Sequence, residues 1–339
     1  MSRQKSALPT RVPLSVAAMA CAAMLILLMV ASMLFGAGNL SMAESVGALL
    51  GRGTEDQAFI VHELRGPRTL LAVLVGLALG AGGTVMQAAT RNPLAEPGLL
   101  GVSAGASFAV VLAIYFGADT AGMHFGVAVF GALVGCMLVL LATQLRGAGT
   151  DPVRLVLAGA AFSSILVAIT TLILLHDQRT ADEIRFWVIG ALGGRPTSNL
   201  VWAVPGTLLG LLLVGVTTAA LAAMSLGEKV AMGLGHRPAF ARILAMTGVA
   251  ALVGTATAAA GPIIFAGLIV PYFARRLVGP DVRRALPIAM LIGPIVLLVS
   301  DILSRLAVRP YELPIGVITA CIGAPVLIAV VRSQRLPRL

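Results

Sequence analysis

The stretch TRNPLAEPGLLG, Thr90 to Gly101, separates two long apolar runs, and its Glu96 is the sole acid between Glu63 and Asp119. The sequence on both sides is dominated by Gly, Ala, Leu and Val. Pro93 and Pro97 disfavour a helix interior and push the residues before them toward extended backbone. Runs of about 20 apolar residues have the length that crosses the hydrocarbon core of a bilayer. A polar, proline-bearing segment between two such runs reads as the turn joining two membrane spans. Arg91 then puts the turn on the cytoplasmic side, where loops carry Lys and Arg.

Extended outward, the same reading covers the chain. It has 339 residues, 58% of them hydrophobic and 11% charged, against about 25% charged in a typical soluble domain. Mean hydropathy is +0.99. Apolar runs near 14–36, 69–90, 98–116, 124–145, 153–175, 199–224, 240–260, 262–278, 286–304 and 313–331 predict ten transmembrane helices. The expected fold is all-α and polytopic: one transmembrane domain over residues 1–339, with a short N-terminal tail at 1–13. The first run exceeds the 7–15 residues of a signal-peptide core, so an uncleaved helix is expected. Pro262 and Pro271 predict a broken or tilted eighth helix.

Sixteen of the 24 Lys and Arg fall in the termini and the even-to-odd loops, with only four of the 14 acids. That asymmetry places both termini in the cytoplasm. It explains the basic composition as topology and attraction to lipid headgroups, leaving no case for a nucleic-acid partner. Cys21, Cys136 and Cys321 lie far apart in apolar runs, and the four His are isolated; no metal site or cofactor is expected. The spans carry no nucleophile–base pair, so an enzyme is not expected. No GxxxxGK[ST] loop occurs, so energy for active transport must come from another chain. No charge falls in the middle of a span, and the chain offers only Asp301 and Arg305, near the outer end of the ninth span, which leaves little machinery for ion coupling. Glycines four apart (76 and 80, 101 and 105, 131 and 135) place small residues on one helix face and allow close packing.

Three further stretches carry chemistry. ELRGPRTLL (Glu63–Leu71) sets Arg65 and Arg68 around Pro67 at the outer boundary, level with Arg305. The arginines are either snorkelling anchors or forks presented to carboxylates of a partner. EIRFWVIGALGGRP (Glu183–Pro196) is too polar to cross and predicts a short interfacial helix. SLGEKVAMGLGHRP (Ser225–Pro238) is the longest cytoplasmic loop; two very short helices about a glycine turn fit it, with Leu234 offered between Gly233 and Gly235.

Together, RGPR, MQAATRNPLAEPGLLGVSAGA, GLGHRP, GPIIFAGLIVPYFARRLVGPD and ELPIGVITACIGAP resemble the FecCD family of bacterial ABC-importer permeases, over about residues 15–332. The resemblance implies a type II importer in the inner membrane: a homodimer of this chain, two cytoplasmic ATPase subunits and a periplasmic substrate-binding protein. The cargo would be an iron siderophore, haem or, alternatively, vitamin B12. A stand-alone secondary transporter is the rival class. Carried over by the resemblance, Arg65, Arg68 and Arg305 dock the binding protein. Gly233, Leu234 and Gly235 belong to the ATPase-coupling loop 225–238. Gly159, Ser163 and Ser164 line the pathway, with the stretch from Phe186 to Gly194 beside it. Asn92 and Leu94 close its cytoplasmic end. The family also implies an inverted repeat of spans two to five and seven to ten.

Overall fold

The computed structural model describes residues 12–36, 40–118, 121–144, 152–308 and 311–332. The expected tail and C-terminal bases (Arg3, Lys5, Arg11, Arg335, Arg338), Arg146, and the side chains of His124 and Phe186 lie outside what is described.

Every regular element among the described residues is helical. In chain order these are α1 (Leu14–Leu34), α2 (Met42–Leu49), α3 (Glu55–Phe59), α4 (Gly66–Thr90), α5 (Val102–Tyr115), α6 (Ala121–Gln144), α7 (Pro152–His176), α8 (Gln178–Val188), α9 (Thr197–Ser225), α10 (Glu228–Gly233), α11 (Pro238–Ala260), α12 (Ala266–Val278), α13 (Val282–Leu306) and α14 (Ile315–Arg332). Seven helices have the length and apolarity to cross a membrane: α1, α3 running on into α4, α6, α7, α9, α11 and α13. The predicted third, eighth and tenth spans form the shorter helices α5, α12 and α14. The third is shortened because Pro97–Leu100 winds as a 3-10 turn and Gly101 takes a left-handed conformation before α5 begins. The eighth is shortened because residues 261–264 are non-helical.

α4 and α11 form the centre of the bundle, with 78% and 83% of their apolar windows buried, against 11% for α1 and 17% for α7. Backbone contact makes the centre possible. A Cβ on Gly76 would lie 2.6 Å from the Gly293 carbonyl carbon of α13, and one on Gly80 would lie 2.5 Å from the Ala289 oxygen. Gly131 and Gly135 of α6 face Gly105 and Gly101 in the same manner. The expected glycine faces are therefore used, although Gly101 sits before its helix and not within it.

The segment between the first two spans holds structure that hydropathy does not signal. Ser41 with Glu44, and Thr54 with Gln57, form capping boxes that start α2 and α3. Residues Ile60–Arg65 form a π-turn feeding α4, in which the Gly66 N–H donates to the Val61 carbonyl five residues back. Pro67 follows, and its missing N–H cannot restore the ordinary ladder there.

Candidate docking faces and transport pathway

At one end of the bundle the three expected arginines line one cavity, and two of them, Arg68 and Arg305, meet at Asp301, which is fully buried. Arg68 Nε and Nη2 contact Asp301 Oδ1 at 2.9 and 2.8 Å, and Arg305 Nη2 pairs with Asp301 Oδ2 at 2.8 Å. Arg68 Nη1 also donates to Glu312 Oε2 at 2.7 Å. Arg65 and Arg305 point inward. Arg65 Nη1 donates to the Met33 and Leu34 carbonyls and to Ser45 Oγ; Arg305 Nη1 donates to the Ser32 and Phe35 carbonyls. The last carbonyls of a helix lack internal donors and carry its negative pole. Two guanidiniums therefore cap the C-terminus of α1 and tie it to α4 and α13. Gly36 leaves room for this, since a Cβ there would lie 2.6 Å from Arg65 Nε.

This geometry corrects the picture of three guanidinium forks presented outward. Arg65 is 5% exposed and Arg305 1% exposed. Of the three, the Arg68 side chain reaches furthest out, at 13%. It borders a cavity of about 460 Å³ lined also by Glu63, Arg65, Arg195, Arg305 and Glu312. Arg195 lies in the loop after α8. Its Nε donates to the Ala191 carbonyl, its Nη2 is buried with no hydrogen-bond partner, and burial pushes its pKa down to about 10. α8 itself starts earlier than expected, at Gln178, because Asp177 accepts the Thr180 N–H as its N-cap.

At the opposite end, the loop 225–238 holds one short helix, α10, and not two. Ala231 is buried as its anchor, and Arg242 Nη2 clamps Glu228 Oε1 at 2.7 Å. Gly235 ends the turn at φ +83°. Leu226, Val230, Met232, Leu234 and Phe240 are all exposed, Leu234 by 61%. Four apolar side chains on one polar loop, with Phe240 in the first turn of α11 beside them, form a surface suited to a partner groove.

The opening turn shares this end, since Arg91 Nη2 donates to the Met224 carbonyl at the foot of α9. Asn92 is spent on building the turn: its Oδ1 accepts the Leu94 N–H at 3.0 Å, and its carbonyl accepts the Ala95 N–H. Leu94 is 38% exposed and lines a small crevice with Pro93, Leu268, Ile269 and Tyr272. The turn then re-enters the bundle. Glu96 Oε1 accepts the Phe265 N–H at 2.6 Å, at the start of α12. Further along α12, Arg275 is buried against Gln87 Oε1 of α4, and Gln87 Nε2 donates to the Leu268 carbonyl. Glu96, Gln87 and Arg275 were not legible as a set, because they lie on segments up to 188 residues apart.

α7 carries the remaining expected residues. Gly159 is buried, Ser164 Oγ donates to its own helix at the Ala160 carbonyl, and Ser163 Oγ is buried without a partner. Leu157, Ile165, Val167, Ile169, Leu172 and Leu175 of α7 are exposed.

The family model described as the FecCD transport family matches residues 24–333. The chain belongs to the FecCD transport family. Among its relatives, the ferric enterobactin transport system permease protein FepD of Escherichia coli K12 is 42% identical over 94% of this chain and 96% of its own. The Fe(3+)-citrate import system permease protein YfmD of Bacillus subtilis is 35% identical over 88% of this chain and 89% of its own. A solved structure described as an inward-facing conformation of a metal-chelate type ABC transporter superposes with a TM-score of 0.82 at 28% identity, covering 94% of this chain and 99% of that one. The FecCD membership accounts for the multi-pass helical architecture and for the motifs that the chain shares with transport permeases. It identifies a transport permease of the metal-chelate type.

Proposed function

We propose that this chain is the permease subunit of an ABC importer that carries a ferric siderophore from the periplasm across the inner membrane. The observation that carries this reading is the pairing of two unlike ends on one bundle. One end holds an arginine-lined cavity suited to carboxylates of a binding protein. The other offers the apolar α10 loop to an ATPase. Relatives named for enterobactin, citrate and hydroxamate permeases favour siderophores over haem or vitamin B12. The exposed apolar side of α7 supports a homodimer in which a second copy covers it and the pathway runs between the two. α5, α12 and α14 complete ten spans, with both termini in the cytoplasm as the basic loops require.

In this reading Arg68, with Arg195 beside it, receives the carboxylate of the binding protein, while Arg65 and Arg305 hold the floor of the cavity. Nucleotide-driven movement enters through Gly233, Leu234 and Gly235. It reaches the pathway residues Gly159, Ser163 and Ser164 and the closure at Asn92 and Leu94. The test removes charge at Arg68 and Arg195 together (Arg68→Gln with Arg195→Gln), leaving Arg65 and Arg305 to cap α1, with membrane abundance followed by immunoblot. Uptake of ferric enterobactin and ferric citrate is expected to fall to the level of a deletion strain at normal abundance. Unchanged uptake would remove docking from this cavity.

A further inference from the structure

Among the described residues, two non-glycine residues have positive φ: Arg91 at +49° and Phe265 at +67°. A bulky aromatic there is a true outlier, held only where its surroundings over-determine it. These two residues stand at the two ends of one joint. Arg91 opens the turn after α4, and Phe265 is the residue whose N–H the Glu96 carboxylate of that turn holds at 2.6 Å.

The joint lies inside the bundle. Gly83 of α4 meets the backbone of Gly267 just below Phe265. Gly83 is seven residues before the end of α4, about 10 Å inside it at 1.5 Å per residue. α12 therefore begins at depth as a half-helix, and its positive N-terminal pole meets the carboxylate of Glu96. Two steric keys flank this hydrogen bond. A Cβ on Gly267 would lie 2.9 Å from Pro97 Cδ, and a Cβ on Gly101 would lie 2.9 Å from Phe162 Cδ1 of α7. On its far side Phe265 packs against Gly323 of α14.

We infer that Glu96 is a positioning residue for transport, pinning the turn 91–101 to the N-terminus of α12 so that turn and half-helix move as one body. This goes beyond the permease reading, on which its transport role rests. Displacement of α7 reaches the turn through Phe162 and Gly101. The pin passes it to α12, and Leu94 travels with them. Glu96 then holds a backbone step that would otherwise relax, and the strain at Phe265 is kept by that hold.

The test compares Glu96→Ala with Glu96→Gln, whose amide oxygen still accepts the Phe265 N–H. Hydrogen exchange is measured at the amides of residues 265–269 in the purified full-length permease. Uptake of radioactive iron from ferric enterobactin and ferric citrate is measured in cells carrying each substitution, at matched membrane abundance. Glu96→Ala is expected to speed exchange at Phe265 by about tenfold or more, the factor carried by a hydrogen bond to a charged group. It should lower uptake comparably, while Glu96→Gln, which keeps the acceptor and loses the charge, stays clearly closer to wild type than Glu96→Ala in both. Wild-type exchange in Glu96→Ala would overturn the pin, as would equal losses in both variants. Faster exchange with undiminished uptake would overturn its transport role. If the alanine chain does not reach the membrane, the glutamine chain decides: lost uptake there overturns the inference. A wild-type strain that takes up neither probe counts against the siderophore reading alone, since the exchange result does not depend on it.

Discussion

Asp301 shows how one buried acid organises one end of the bundle. Its two oxygens face Arg68 and Arg305, and Arg305 in turn caps α1 through the Ser32 and Phe35 carbonyls. Removing one partner of a buried ion pair leaves the other charge desolvated, at a cost of about 3–5 kcal/mol. Asp301→Ala is therefore expected to lower thermal stability markedly in detergent and to loosen α1, as read by faster exchange of its C-terminal amides. A variant as stable as wild type would show that solvent reaches these arginines. The sequence placed Asp301 and Arg305 correctly near the end of a long helix, α13. It did not reveal that Glu312 completes the set, because Arg68 and Glu312 are 244 residues apart and no local period links them. Asn92 is the converse case. Its motif drew attention to closure, and the bond its side chain makes within its own turn was not read from it.

At the scale of elements, the close backbone contact of α4 with α13 sets what the core accepts. Gly76→Leu would drive a side chain into Gly293 and Pro294, and overpacking of this kind costs about 1–3 kcal/mol or more. Loss of membrane accumulation, scored by immunoblot against Gly47→Leu, where a Cβ meets nothing within 4 Å, checks it. The α10 loop belongs to this scale too. Leu234→Asp places a charge on the exposed apolar loop while Ala231 and the Arg242–Glu228 clamp stay in place. It is expected to abolish substrate-stimulated ATP hydrolysis in the assembled complex without lowering permease abundance; normal stimulation would remove the loop from coupling. Hydropathy located the long helices well, since each needs an uninterrupted apolar run. It placed the starts of α5 and α12 too early, where left-handed Gly101 and Phe265 delay helices that composition alone would begin sooner, and the loop expected to hold two very short helices holds α10 alone. The capping boxes of α2 and α3 were legible locally, but they lie in a segment with no apolar run to draw notice.

For the whole molecule, the two ends differ in a way that fits vectorial transport. One is arginine-lined and concave, the other apolar and protruding. Family membership was readable from the motifs because they are long and occur in order, and the match over residues 24–333 bears it out. The cargo was not readable, since the residues proposed to line the pathway, Gly159, Ser163 and Ser164, are small and neutral and mark no ligand chemistry. The most direct measurement is therefore ATP hydrolysis by the complete complex in liposomes, challenged in turn with ferric enterobactin, ferric citrate, haem and vitamin B12. A ferric siderophore is predicted to stimulate hydrolysis and to accumulate inside the vesicles, whereas haem and vitamin B12 do neither. Stimulation by haem or vitamin B12 alone, or siderophore accumulation without ATP, would contradict the account.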